Sequence, residues 1–245
     1  VIGVIIQARM GSSRLPGKVL KKIKGIPSLQ FQIDRIRQSV LPDKIIVATS
    51  TQACDDDIDD LCNELNISCF RGSEDDVLSR YYECAKAFNL KTIIRLTADC
   101  PLIDPRIIDE TTKAFKENFV DYCANTVPPE TSTWPDGSDV EVFSFSALEK
   151  AFLEAAKKNE REHVTFFFWN NKHSNFKTMQ TINHEDWSDY RFTVDYPEDY
   201  EAVSIIVSKF KSNNFSLEDI INLIKISPEI GKLNSKFSFG EGWNQ

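Results

Sequence analysis

The 245-residue chain carries 29 basic against 37 acidic residues, a net charge of −8, and is 41% hydrophobic with only 9 Gly and 10 Pro. That balance excludes collagen-like, low-complexity and disordered classes, and an acidic chain lacks the basic face of a general nucleic-acid binder. No apolar run approaches the ~18 residues of a membrane span and no charged-then-apolar leader is visible, so neither nucleic acid nor a membrane is expected as a partner. Six cysteines, none in a C-x-x-C pair, read as free thiols of a cytoplasmic protein.

Val1 to Ile6 reads as a strand that is apolar on both faces, as buried parallel strands are. It runs into Gln7-Ala8-Arg9-Met10-Gly11-Ser12-Ser13-Arg14-Leu15-Pro16-Gly17-Lys18. Gly and Ser let backbone N–H groups approach an anion, while the arginine forks and the lysine point charge neutralise it, so this loop suits phosphate. Five residues separate Gly11 from Gly17 and Val19 follows Lys18, so it is neither a Walker A loop nor G-x-G-x-x-G. A solvated basic loop is the alternative reading of the same charges.

Next come a helix over Ser28 to Ser39, a strand over Lys44 to Thr49, a helix over Asp55 to Leu65, a strand over Ile67 to Phe70, a helix over Asp75 to Phe88 and a strand over Thr92 to Leu96. The acids at 55–57 and 59–60 read as a solvated helix N-terminus that complements the helix dipole. Such βαβ repetition predicts an α/β protein with a mostly parallel sheet and helices on both faces. In such sheets ligands bind beyond the carboxyl ends of the strands, and Asp99 of Arg95-Leu96-Thr97-Ala98-Asp99-Cys100-Pro101 stands at one of them.

Residues 126–138 read as a loop, Asp139 to Phe143 as a strand, and Ser146 to Lys158 as a helix with a Ser146–Glu149 capping box. Asp136 is a turn residue or a ligand for an acceptor hydroxyl. Glu160 and His163 lie one helical turn apart and could contact an acceptor, or simply cap and pack. The aromatic run 166–169 reads as core or a subunit contact. Strands are expected at 176–182 and 191–195, the second delivering Asp195, and helices at 197–211 and 216–226. Two carboxylates and an anion loop at one sheet edge suggest Mg²⁺ held with substrate phosphates, although each aspartate alone also suits a helix N-cap.

These segments, with Trp134 to Phe143 and Glu160 to Thr165, resemble the cytidylyltransferase family from Val4 to about Tyr200. The closest likeness is to its spore-coat polysaccharide branch, related to the synthases that make CMP-activated ulosonic and sialic acids. The resemblance implies a Rossmann-like nucleotide-diphospho-sugar transferase fold that uses CTP and Mg²⁺. It makes Arg9, Ser12, Ser13, Arg14 and Lys18 the cradle for nucleotide and phosphates, and Asp99 and Asp195 the metal ligands. Gln7, Ala8, Gly11, Thr97 and Ala98 complete the expected nucleotide site, and Arg14, Lys18, Asp99 and Asp195 are the expected catalytic set. Asp136, Asp139, Glu141, Glu160 and His163 are the candidates for binding a sugar-like acceptor.

One domain is expected over 1–245, with 126–190 an insertion for acceptor binding or dimerisation, and the chain is expected to form a homodimer. CMP would pass from CTP to a sugar, sugar acid or related acceptor; whether the attacking group is a hydroxyl or a phosphate stays open. A glycosyltransferase of the same fold would show Asp-x-Asp, and 97–100 holds one acid only. A non-catalytic nucleotide-binding module would be favoured by loss of Lys18, Asp99 or Asp195, and all three are present.

Overall fold

The computed structural model describes residues 1–169 and 175–240; positions 170–174 of the expected 126–190 insertion lie outside the described residues. Four strands, β1 (Ile2–Gln7), β4 (Lys44–Ser50), β5 (Ser68–Gly72) and β6 (Thr92–Thr97), form a parallel block in the order β5-β4-β1-β6. Between β1 and β4 a small antiparallel hairpin, β2 (Lys22–Ile23) with β3 (Ile26–Pro27), leads into α1 (Ser28–Ile36). Helices α2 (Asp56–Glu64) and α3 (Val77–Ala87) connect the next strands.

Beyond β6 the sheet changes character. After α4 (Pro105–Asn118), strand β7 (Tyr122–Ala124) is followed by β8 (Glu141–Ser144), which inserts antiparallel between β6 and β7. Helix α5 (Phe145–Glu154) starts directly off β8, then come α6 (Lys158–Glu162), α7 (Phe166–Trp169) and the edge strand β9 (Thr178–Gln180). Helices α8 (Pro197–Lys209), α9 (Leu217–Ile226) and α10 (Pro228–Lys232) close the chain. No helix among the described residues is long and apolar enough to cross a membrane.

Alternation along β1 explains the two helical layers. Val4 and Ile6 point into a core shared with Leu29 and Ile33 of α1, Ile107 of α4 and Ile220 of α9, whereas Ile5 points to the other face, among Leu78 and Tyr81 of α3 and Leu148 of α5. A strand buried on both faces can be apolar at every position, which is the pattern that Val1 to Ile6 displays.

Four expectations need correction. Residues 191–195 form no ladder strand: a single bridge joins Arg191 to Asp136, and the extended backbone is then tied to the loop after β6 by Val194 N–H donating to the Asp99 carbonyl at 2.7 Å. Its neighbours are turns, which offer isolated backbone groups instead of a row. The Ser146–Glu149 box does not form, because Ser144 already caps α5 by accepting from Ala147 N–H at 3.1 Å, and Glu149 accepts from the Tyr82 hydroxyl instead. Asp55 is buried, not solvated. Finally, α4 and β7 went unread, their apolar residues being interleaved with Thr, Lys and Glu or confined to three positions.

Candidate active site at the carboxyl edge of the sheet

The loop after β1 is shaped by its own backbone. Ser12 N–H and Gly17 N–H both donate to the Met10 carbonyl, and Leu15 turns inward as a buried plug. Gly17 sits at φ +66°, a left-handed position that glycine adopts without strain, and it starts the short 3₁₀ turn Lys18–Leu20. Asp55 fixes this loop from below: its carboxylate accepts from Met10 N–H at 2.7 Å and from the Ser50 hydroxyl at 2.5 Å. Burial opposes the charge, but those bonds outweigh it and hold the Asp55 carboxyl below its usual range. Nothing in the sequence separates Asp55 from the acids that follow it.

Above the loop lies a cavity of about 400 Å³. Gln7, Arg9, Gly11, Ser12, Ser13, Arg14 and Lys18 of the loop line it together with Thr97, Ala98 and Glu162. Ala8 is buried beneath the loop, its N–H given to the Ala48 carbonyl, so of the expected nucleotide residues it alone is not part of the wall.

Asp99 and Asp195 meet at the far rim. Lys18 Nζ reaches Asp99 Oδ2 at 3.0 Å and Asp195 Oδ1 at 2.7 Å, and Arg14 pairs with Asp195 Oδ2 at 3.1 Å. Burial would push the Asp99 carboxyl up, but the Lys18 ammonium and the Thr97 hydroxyl bring it down to about 2. The same pair raises Lys18 against its own burial, so at neutral pH the lysine is cationic and both groups are charged.

Two carboxylates converging within reach of one ammonium form the hard-oxygen donor set that a divalent cation uses together with substrate phosphates. The donor set is of the kind that suits Mg²⁺, and in this structure the Lys18 ammonium is bonded to both carboxylates. Among the described residues no cluster of three or more candidate metal ligands occurs.

Arg191 and Asp199 hold Asp195 in place, and sequence reading assigned neither. Arg191 forks onto Asp199, Nε to Oδ1 at 2.9 Å and Nη2 to Oδ2 at 3.0 Å, while its Nη1 reaches Asp136 at 2.5 Å. Asp199, fully buried, accepts from the N–H groups of Asp195 and Tyr196 and from Asn234. The acid two residues after Pro197 and the arginine four before Asp195 were the available signals. Gly137 allows the approach: at φ +94°, a Cβ there would stand 2.3 Å from Thr193 N.

A second cavity, about 210 Å³, opens on the other side of Asp99 and Asp195 and shares Arg14 and Thr97 with the first. Asp136, Asp139, Glu141 and His163 line it, so four of the five acceptor candidates converge here. Glu160 does not: it caps α6, accepting from Lys157 N–H at 3.3 Å and pairing with Lys157 Nζ at 3.1 Å. Glu141 is already engaged by Arg95, the Tyr122 hydroxyl and the Thr165 hydroxyl. Burial, together with the neighbouring charge of Asp139, pushes the Asp136 carboxyl up, and burial, with the charges of Glu141 and Asp99 beside it, pushes the Asp139 carboxyl up. Burial pushes His163 down, with its ring stacked on Phe166. Of the aromatic run, Phe167 and Phe168 are core, whereas Phe166 and Trp169 line this cavity with Phe239 and Gly240 near the carboxyl terminus.

The cytidylyltransferase family model matches residues 3–226. An uncharacterized protein of Methanocaldococcus jannaschii is 36% identical over 96% of this chain and 94% of its own length. The spore coat polysaccharide biosynthesis protein SpsF of Bacillus subtilis is 32% identical over 92% of this chain and 94% of that one. Among solved structures, a cytidylyltransferase from Leptospira borgpetersenii superposes with a TM-score of 0.89 at 37% identity, covering 94% of this chain and 96% of that one. The fold is accordingly the nucleotide-diphospho-sugar transferase type expected from the sequence.

Proposed function

The chain belongs to the cytidylyltransferase family, and from that premise we propose that it transfers CMP from CTP to a sugar-like acceptor for polysaccharide or glycoconjugate synthesis, with Mg²⁺ as cofactor. The observation that carries this reading is the meeting of Lys18 with Asp99 and Asp195 at 3.0 and 2.7 Å, on the rim that separates the two cavities. The larger cavity would take CTP and the smaller the acceptor, which places the α-phosphorus at the rim.

In the transfer, an acceptor oxygen forms a bond to the α-phosphorus as the bond from that phosphorus to the β-bridging oxygen breaks. Pyrophosphate leaves with the electron pair, and any proton on the acceptor oxygen passes to solvent. Arg14 and Lys18 would bind the β- and γ-phosphates and neutralise the leaving group, while the loop N–H groups fix the phosphate chain in line. Asp99 and Asp195 would hold Mg²⁺, which supplies charge stabilisation at the reacting phosphate and acidifies an acceptor oxygen. Residues 126–190 would supply the acceptor side through Asp136, Asp139, Glu141 and His163. No nucleophilic side chain is required.

Thermal unfolding with Mg²⁺ and CTP, UTP, GTP or ATP in turn tests the reading. Ligand at 100 times its dissociation constant stabilises the native state by about 2.7 kcal/mol, a visible shift in Tm. A shift with CTP above the others is expected, and no shift with any nucleotide would overturn the assignment. A homodimer in the cytoplasm is part of the proposal; sedimentation equilibrium at monomer mass would remove the dimer from it.

A further inference from the structure

The first turn of α8 is covered, residue against residue, by the segment 234–237. Asn234 Nδ2 donates to Asp199 Oδ1 at 2.9 Å and Lys236 Nζ pairs with Glu198 Oε1 at 2.7 Å. The Phe237 ring lies flat on Tyr196, with centroids 3.9 Å apart and planes 3° from parallel. Phe237 N–H donates to the Asn234 carbonyl at 3.1 Å, a turn that brings the ring onto its partner. Both rings are half-buried and stand outside the two apolar cores. The match to the family model ends at residue 226, so the segment lies beyond it.

The stack leads to the phosphate side of the site. The Arg14 guanidinium lies over the Tyr196 ring, 5.0 Å from its centroid, and its Nη2 pairs with Asp195 Oδ2 at 3.1 Å. Arg14 lines both cavities and is partly exposed. A guanidinium is planar and takes phosphate oxygens as a fork, so the tilt of its plane matters as much as its charge. The contact to Asp195 fixes one end of the group, whereas an aromatic face against it fixes the plane. That face is only as steady as the ring behind it, and Phe237 is that ring.

We propose that Phe237 is a positioning residue for nucleotidyl transfer: it holds Tyr196 flat, and Tyr196 in turn holds the Arg14 guanidinium in the plane at which it meets the outer phosphates of CTP. This deepens the nucleotidyl-transfer reading above and rests on it. The segment 234–237 then serves the leaving group, through Arg14, and not the nucleoside.

The test is calorimetric titration of the full chain with CTP and with CMP, each with Mg²⁺. CMP lacks the two phosphates assigned to Arg14, so it reports whether the rest of the nucleotide site is intact. Phe237→Ala is expected to raise the dissociation constant for CTP about tenfold and to leave that for CMP at the parental value. Phe237→Tyr, which can keep the stack, is expected to bind both as the parent does. Phe237→Leu keeps apolar bulk without a flat face and is expected to behave as Phe237→Ala, so the proposal is decided even if the alanine variant does not fold. Added to Arg14→Ala, Phe237→Leu is expected to cost no further CTP affinity, because residues that act as one unit are not additive. Equal losses for CTP and CMP, a loss that persists in the Arg14→Ala background, or parental CTP affinity in Phe237→Leu overturns the proposal. A parent chain that binds no CTP sinks the transfer reading along with it; a parent that binds CTP, with any of those three results, sinks only this proposal.

Discussion

Lys18 and Asp195 are 177 positions apart in the chain and meet at 2.7 Å. One comes from the loop after the first strand, the other from an extended segment just before α8, and Asp99 of the loop after β6 joins them. The pair ties the phosphate loop to the rim where the α-phosphorus is expected.

Lys18→Ala removes the ammonium from that rim. A hydrogen bond to a charged group is worth about 1.5–3 kcal/mol, so the dissociation constant for CTP is expected to rise about 10- to 100-fold. Calorimetric titration reads this directly, and an unchanged isotherm would remove Lys18 from the phosphate site.

Asp99→Asn keeps the shape of the side chain while removing its charge. Mg²⁺-dependent pyrophosphate release is expected to fall by at least about 100-fold, on the scale of losing one electrostatic stabiliser, with the fold intact and Tm lowered by the loss of the ion pair to Lys18. A variant that turns over at the parental rate would show that the cation site lies elsewhere.

The pH dependence follows from the same carboxyl. Asp99 titrates at about 2 in the folded chain against 3.8 in the reference state. Because the folded value is the lower one, the stabilisation is complete above the unfolded value and is lost as pH falls from about 4 through about 2. Urea unfolding between pH 5 and pH 3 is expected to show a steeper loss of stability for the parent than for Asp99→Asn. Parallel curves would mean that the Lys18 contact does not hold the carboxyl down.

Asp55→Ala leaves Met10 N–H and the Ser50 hydroxyl without their acceptor. A buried donor stripped of its partner costs about 1–3 kcal/mol, and the loop it anchors is the phosphate loop. Lower stability and weaker CTP binding are expected together. A stability loss with unaltered CTP affinity would show that Asp55 supports β4 alone.

Gly137→Ala would place a Cβ 2.3 Å from Thr193 N at a φ of +94°. Relief requires the 135–137 turn and the 191–194 segment to part, which loosens Arg191 and, through it, Asp195. Destabilisation of about 2–3 kcal/mol is expected, within the range for strained backbone positions, with turnover reduced more than CTP affinity. Chemical unfolding and steady-state kinetics measure the two effects, and a variant at parental stability would show that the turn has room to move.

Much of this architecture was legible because local patterns carried it. The apolar run Val1 to Ile6, buried on both faces, announced an interior parallel strand, and the Gly, Ser and Arg content of 7–18 announced an anion loop. Asp99 was readable as the acid that closes an apolar strand, and α9 starts at Ser216 with Asp219 completing its cap, as a Ser at the start of a helix foretells.

What stayed hidden depends on distant partners. Asp55 looked like its neighbours Asp56 and Asp57 until the fold brought Met10 over it. Arg191, Asp199 and Asn234 form one network across 43 positions, and no local spacing encodes a hydrogen bond between them. Glu160 and His163, equivalent by helical spacing, part company because one faces Lys157 and the other the cavity.

The sequence by itself determined the α/β class, the anion loop and the acid that follows β6, since periodicity, turn chemistry and residue type act within a few residues of each other. Only the tertiary structure decided that Lys18, Asp99 and Asp195 share one rim and that the rim divides two cavities. Those are properties of distance and burial, and a chain acquires them only when segments remote in sequence pack against one another.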